Sequence, residues 1–208
     1  MLDAISLCCP NKSKNDELEV GSGFAYQGKN GRWIVTAAHI GLGAKPHEDW
    51  LKWADRMFVV LPEPNTFSVA LFESGAPRFR HLPRIGDNQI KPDVIAVPIT
   101  EAQWASLAPD YRLFTEADAG NAVTGHEVVG QGYPGNGSDS WPGPMQTFKA
   151  TAEVHPARIR FDYDVEVGFS GGPLKSSQNR IVGVIDSADD LQRGYAWDFN
   201  FLLLAGNL

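Results

Sequence analysis

Short apolar runs broken by glycine, proline and polar residues recur along the chain, roughly ten residues apart. This spacing predicts many short β-strands and an all-β barrel or sandwich. We expect strands at 19–26, 33–38, 58–61, 67–72, 94–99, 127–130, 148–154, 158–161 and 181–185. The first two flank a turn that contains Asn30-Gly31, a strong hairpin signal, so they should pair with each other.

Helical patterns are few and short. Residues 46–57 could form a short helix, and residues 101–118 could hold one helical turn. Residues 195–204 are predicted to be a last strand that runs into a short C-terminal helical turn. The 21 glycines and 14 prolines supply the many turns that an all-β fold of short strands requires.

The N-terminal part ends in a polar, charged run at 11–17. We therefore expect residues 1–18 to be an exposed lead-in segment and residues 19–208 to form the folded domain. The net charge of −7 makes nucleic acid an unsuitable partner, because an acidic surface repels phosphates. No apolar run approaches the roughly 20 residues of a membrane span, so no membrane partner is expected.

The two cysteines, Cys8 and Cys9, are adjacent, and the chain has no others to pair with them. A chain free of disulfides favours a reducing compartment, and the N-terminus lacks the basic region of a signal peptide. The sequence therefore predicts a cytoplasmic protein; the alternative is a secreted one whose N-terminus was trimmed. Four histidines lack metal-ligand spacing, namely His47, His81, His126 and His155. We expect no metal and no cofactor.

Three segments carry residues with nucleophilic or acid–base chemistry. His39 follows the strand end Val35-Thr36-Ala37-Ala38, Asp93 opens an apolar strand, and Ser170 lies in Gly168-Phe169-Ser170-Gly171-Gly172-Pro173. Each segment alone is weak evidence. A serine hydroxyl needs a base to become a nucleophile, and a histidine has a pKa suited to that task. An aspartate can fix the tautomer of that histidine.

Together, and in this order, the three segments resemble the chymotrypsin/trypsin family of serine proteases. Gly132-Tyr133-Pro134 is similar to the bacterial members, and Ile181–Ile185 is similar to the strand that lines their substrate groove. The resemblance implies two six-stranded antiparallel β-barrels, one over about residues 19–105 and one over about residues 120–205, with the site between them. It also implies that His39, Asp93 and Ser170 form a catalytic triad, with the amides of Gly168 and Ser170 as oxyanion hole.

Other positions depart from that family. Phe169 precedes the serine, where trypsins carry the aspartate that pairs with a new N-terminus, so this activation switch is expected to be absent. We expect that a regulatory protein partner, in place of this switch, restrains the activity. Asp186 falls where trypsins have a serine that supports the triad aspartate; if the register differs by one residue, Ser187 takes that place. By ungapped spacing, Asp164 falls where trypsins have the acidic base of their specificity pocket, and Ile185, Asp186 and Ser187 lie at the end of the groove strand. These four residues are the candidate substrate contacts.

These residues predict a serine endopeptidase, of bacterial type, that acts on a protein or peptide substrate. Asp164 would favour basic substrate residues; the alternative is that this acid has no such role, as in many bacterial members. A catalytically silent peptide-binding module on the same fold is the second hypothesis. A hydrolase for non-peptide esters is the third.

Overall fold

The structure is a computed structural model and describes residues 1–11, 17–42, 53–61, 65–81, 92–135 and 142–206. In chain order, the N-terminal half contains β1 (Ile5–Asn11), β2 (Glu17–Gly28), β3 (Gly31–Ala37), α1 (His39–Leu42), β4 (Arg56–Val60), β5 (Phe67–Ala70), β6 (Phe72–Glu73), β7 (Ala76–Pro77), β8 (Arg80–His81), β9 (Val94–Pro98), α2 (Glu101–Leu107) and β10 (Leu113–Thr115). The C-terminal half contains a 3-10 turn (Glu116–Asp118), β11 (Glu127–Gly132), β12 (Gln146–His155), β13 (Arg158–Phe161), β14 (Pro173–Ser176), β15 (Ile181–Ala188), β16 (Gly194–Asp198) and α3 (Phe199–Gly206).

The two halves form different sheets. The first is an eight-stranded curled sheet in the order β5-β4-β1-β2-β3-β9-β8, with β10 paired in parallel to β2. The second is a closed barrel of six strands, β11-β12-β13-β16-β15-β14. The predicted all-β class and the second six-stranded barrel are confirmed. The first predicted barrel is an open, curled half-barrel among the described residues, because no pairing joins the two ends of its strand order.

Strand β1 contradicts the prediction of an exposed N-terminal lead-in. It pairs antiparallel with both β2 and β4, and Ile5, Leu7 and Cys9 are buried in the core of the first sheet. The lead-in prediction is therefore wrong for these residues, because β1 lies between β2 and β4 in the sheet and its apolar side chains pack into the core. Strand β10 likewise lies beyond the bounds expected for the first barrel, yet pairs with β2.

The predicted hairpin is present between β2 and β3. Gly28 pairs with Gly31, so Lys29 and Asn30 form the two-residue turn, and Gly31 has a φ of +144°. Strand β3 pairs in turn with β9, with Ala37 opposite Val94. This pairing sets the last residue of β3 beside the first residue of β9, so the residues that follow β3 lie close to those that precede β9.

Helical structure differs from the prediction in two places. Helix α2 has two turns, because Thr100 and Gln103 form a capping box and Trp104 and Leu107 face the core. Most of the predicted helix at 46–57 lies outside the described residues; its last part is wrong, since β4 begins at Arg56. At the C-terminus the predicted strand and helix are confirmed as β16 and α3. No helix in the described ranges is long and apolar enough to cross a membrane.

A shared apolar cluster holds the half-barrel against the closed barrel. Phe24 and Tyr26 of β2 both pack edge-on against Phe199 of α3, with ring centroids 5.6 Å and 5.3 Å apart. Val184 and Trp197 of the closed barrel join the same cluster. Such aromatic pairs contribute roughly 0.5–1.5 kcal/mol each beyond their burial. The packing fixes the two sheets side by side, and the candidate site lies along their boundary.

Candidate active site

His39 and Asp93 meet because β3 and β9 are neighbours. His39 is the first residue of α1, separated from the end of β3 by Ala38 alone, and Asp93 directly precedes β9. The Nδ1 atom of His39 lies 2.5 Å from Oδ2 of Asp93, and the backbone N–H of His39 donates to Oδ1 at 2.9 Å. The Ala38 amide donates to the Asp93 carbonyl at 3.1 Å. One carboxylate therefore fixes both the ring and the backbone of the histidine.

The environment of His39 favours its protonated form. Burial by itself lowers the pKa of the imidazole, but the hydrogen bond to Asp93 and the negative charges of Asp93, Asp186 and Glu19 outweigh it. The net result is a raised pKa. A histidine with this pKa accepts a proton readily, and it is unprotonated only at correspondingly higher pH.

Ser170 lies in a tight loop that only glycine can build. Gly168 and Gly171 have φ values of +101° and +87°. A Cβ on Gly168 would lie 2.2 Å from the Tyr133 carbonyl oxygen, and one on Gly171 would lie 2.1 Å from that of Ser22. The sequence around the serine is thus dictated by close backbone approach as well as by chemistry.

Ser22 of β2 connects this loop to the first sheet. Its hydroxyl donates to the Gly168 carbonyl at 2.7 Å and accepts the Tyr133 amide at 2.9 Å. Its own amide donates to the Ser170 carbonyl at 2.8 Å, and its carbonyl accepts the Thr36 hydroxyl at 2.6 Å. Ser22 is fully buried. Two of these four hydrogen bonds hold the serine loop directly, through the carbonyls of Gly168 and Ser170, and the other two fix Ser22 itself to Tyr133 and Thr36.

The amides of Gly168 and Ser170 have no acceptor among the described residues. The amide between them, that of Phe169, donates to the Glu166 carbonyl at 3.2 Å, and the Gly171 amide donates to the Ile185 carbonyl at 2.7 Å. The N–H groups of Phe169 and Gly171 are thus bonded, one to the segment before the serine and one to β15. The loop leaves available the two that the resemblance assigns to an oxyanion.

The Ser170 hydroxyl donates its hydrogen bond to the backbone carbonyl of Asp186, at 2.8 Å, and not to His39. The hydroxyl proton must therefore be redirected before it can pass to the histidine.

Asp186, and not Ser187, lies against the His39–Asp93 pair. Asp186 is 7% exposed, whereas Ser187 is exposed. The Asp186 carboxylate pairs with the guanidinium of Arg158 on β13, with Nη2 and Oδ2 2.6 Å apart. Burial and the charge of Asp93 raise the pKa of Asp186 to about 6, although Arg158 and His39 act in the opposite direction.

Two predicted substrate contacts do not fit the geometry. Ile185 has its side chain in the core of the closed barrel, and its N–H and C=O are bonded to Gly172 and Gly171. It therefore has no polar group left for a substrate. Asp164 is exposed, in the segment after β13 ends at Phe161, rather than buried at the base of a pocket.

His39, Asp93 and Asp186 each offer a ligand atom, and these atoms lie within 4.8 Å of one another. The group does not resemble a metal site, because its atoms already have partners: the His39 ring binds Asp93, and Asp186 binds Arg158. It is a hydrogen-bonded acid–base cluster.

The sequence reasoning missed Ser22 and Arg158. The pattern Gly21-Ser22-Gly23 carried a usable signal, because glycines in a strand often mark close backbone approach. A Cβ on Gly21 would lie 3.1 Å from the Ser170 carbonyl oxygen. No local signal marks Arg158, because its partner lies 28 residues away on another strand.

A curled half-barrel beside a closed six-stranded barrel, with a histidine, an aspartate and a serine at their boundary, defines a protein of the chymotrypsin-like fold. Residues 21–184 match the trypsin-like peptidase domain, and the chain belongs to that family. No curated protein sequence matches the chain.

Solved structures of serine proteases share this fold. The thermostable serine protease AL20 from an extremophilic microorganism has 13% identity and a TM-score of 0.68, with 98% of this chain and 94% of that chain covered. The inactive form of the Rv3671c protease, a protein of M. tuberculosis, has 19% identity and a TM-score of 0.59, with 97% and 88% covered. The HtrA-type protease AlgW with a tripeptide has 15% identity and a TM-score of 0.61, with 97% and 57% covered. At these identities the likeness concerns the fold alone.

Proposed function

We propose that this chain is a serine endopeptidase that hydrolyses peptide bonds in a protein substrate, with Ser170 as nucleophile, His39 as general base and Asp93 as the acid that orients the histidine. The observation that carries the proposal is the His39–Asp93 pair, closed by two hydrogen bonds of 2.5 Å and 2.9 Å. It stands beside a serine whose loop leaves two amides unbonded among the described residues. Membership of the trypsin-like peptidase family supports the same reaction.

The reaction begins when the Ser170 hydroxyl leaves the Asp186 carbonyl and turns to His39. His39 accepts the hydroxyl proton on Nε2 as the oxygen attacks the substrate carbonyl carbon, while Asp93 stabilises the imidazolium through Nδ1. The Gly168 and Ser170 amides donate to the oxyanion, each worth about 10²–10³ in rate. The imidazolium then protonates the leaving amine, and water hydrolyses the acyl-enzyme by the same steps.

Restraint by a partner is part of this proposal. The Ser170 hydroxyl is bonded away from His39, and the sequence has Phe169 where a trypsin-type switch would need an acid. A protein that presents the substrate, or contacts the serine loop, would favour redirection of the hydroxyl proton. A cytoplasmic location stays a prediction.

Peptide-library cleavage by wild type and by Ser170→Ala tests this function. We expect wild type to cleave a defined subset of peptides and Ser170→Ala to lose at least about 10³-fold in rate. Equal cleavage by both proteins would refute the assignment of Ser170. Turnover that does not change when cellular protein is added would refute the restraint by a partner.

A catalytically silent peptide-binding module is the second candidate. The bond from the Ser170 hydroxyl to the Asp186 carbonyl favours it, because this conformation does not join the serine to its base. This candidate predicts saturable binding of library peptides by wild type and by Ser170→Ala alike, with no cleaved product from either.

A further inference from the structure

Asp186 places a second carboxylate beside the His39–Asp93 pair. It lies on β15 of the closed barrel, whereas His39 and Asp93 belong to the half-barrel. The nearest ligand atoms of the three side chains are all within 4.8 Å of one another, and Asp186 is 7% exposed. At such distances its ionisation must affect both neighbours.

A buried carboxylate and a half-buried one this close repel each other, so the arrangement needs a compensating cation. Arg158 supplies it at 2.6 Å from Asp186. The guanidinium lies over two aromatic rings, 4.5 Å from the ring centroid of Trp197 and 5.1 Å from that of Tyr195. These contacts help to hold the planar group beside Asp186.

We propose that Asp186, held in place by Arg158, is a positioning residue that sets the proton affinity of His39 and thereby the acid limit of activity. The inference rests on the proposed function in one respect only, that His39 acts as the base. The side chain of Asp186 touches no reacting atom. Its charge acts on His39 from the closed-barrel side of the site.

The charges that face this group determine the sign of the effect. Asp93, Arg158 and His39 face Asp186, and Glu19 faces His39 from β2. The pKa of Asp186 is raised to about 6, so in the neutral range this residue is an anion that stabilises protonated His39 and raises the pKa of the histidine.

Protonation of Asp186 as the pH falls removes that support. A proton on Asp186 therefore lowers the proton affinity of His39, and a proton on His39 lowers that of Asp186. As a result, the acid limb of the activity profile extends over a wider pH range than a single titration would give. Replacement of Asp186 by Asn should shift the limb to lower pH and sharpen it to a single titration.

The test compares Asp186→Asn with wild type and with Asp190→Asn. Asp190 is an exposed carboxylate in the connection between β15 and β16, so its replacement removes the same charge at a screened position. The first readout is the rate of inactivation by a fluorophosphonate as a function of pH. The second is the NMR titration of His39 in the Ser170→Ala background, with and without Asp186→Asn, which requires no activity.

We expect Asp186→Asn to shift the His39 titration and the inactivation limb downward together, and Asp190→Asn to shift neither. A His39 titration that is the same with and without Asp186→Asn would overturn the inference, whether or not the protein reacts. Equal downward shifts in Asp190→Asn would also overturn it, because they would show a general charge effect. If the NMR shift is present and wild type does not react with the probe, alone or with cellular protein added, the effect of Asp186 on His39 stands and the proposed function fails.

Discussion

Replacement of Ser22 by alanine should show how much the hydrogen bonds that hold the Ser170 loop contribute to stability and to the reactivity of Ser170. The Ser22 hydroxyl joins the Gly168 carbonyl and the Tyr133 amide, at 2.7 Å and 2.9 Å, in a fully buried position. Alanine removes both bonds and leaves a buried carbonyl and a buried N–H without partners. The Ser22 amide would still bond Ser170, so the strand itself is retained.

The size of the effect follows from these two groups. A buried polar group without a partner costs roughly 1–3 kcal/mol, so the pair should cost about 2–6 kcal/mol of unfolding free energy. This is a large part of the typical 5–15 kcal/mol of a domain. Because the carbonyl of Gly168 is also released, the Gly168–Phe169 peptide group keeps only the bond from the Phe169 amide to the Glu166 carbonyl and is held less firmly. We therefore expect slower reaction of Ser170 even where the variant remains folded.

Ser6→Ala is a matched control for this experiment. Ser6 pairs with Ser22 in the register of β1 and β2, is 1% exposed, and its hydroxyl has no partner among the described residues. Loss of an unbonded hydroxyl should be neutral or stabilising. Urea unfolding and fluorophosphonate inactivation would be measured on both variants. A loss below about 1 kcal/mol in Ser22→Ala, or equal losses in the two variants, would refute the reasoning.

Three further predictions address other parts of the chain. Asp3→Ala should lower the unfolding free energy by about 3–5 kcal/mol in urea, because it leaves the buried Lys175 with only Asn179 as a partner; a loss under about 1 kcal/mol would contradict this. Gly171→Ala should abolish reaction of Ser170 with a fluorophosphonate, because the new Cβ would meet the Ser22 carbonyl oxygen at 2.1 Å; wild-type reactivity would show that the loop can shift. Asp164→Asn should leave the cleavage preference in a peptide library unchanged, since Asp164 is exposed; a lost preference for basic residues would restore its predicted pocket role.

Local patterns predicted the parts of the fold that depend on neighbouring residues. The turn between β2 and β3, the strands β13 and β15 and the final strand-helix pair follow from alternation and from turn residues close by in the sequence. Strand β1 does not, because its burial depends on β2 and β4, and its run contains Pro10. The closure of a barrel is likewise a property of non-local pairing, so sequence pattern could not separate the closed barrel from the open sheet.

The candidate site divides in the same way. The triad of His39, Asp93 and Ser170 is predictable because the three flanking segments, taken together and in order, resemble those of the chymotrypsin/trypsin family. The identity of the residue beside Asp93 was not settled, since a register shift between Ile185 and Ser187 in β15 decides it. Such an irregularity depends on the opposing strand.

Reaction with a fluorophosphonate, followed by mass spectrometry of the modified peptide, tests the central claim most directly. The account predicts one adduct per chain, on Ser170, formed by wild type and absent in Ser170→Ala. It also predicts that His39→Ala reacts far more slowly, because the serine then lacks its base. A folded wild-type protein that forms no adduct, alone or with cellular protein added, would contradict the account, as would an adduct on any residue other than Ser170.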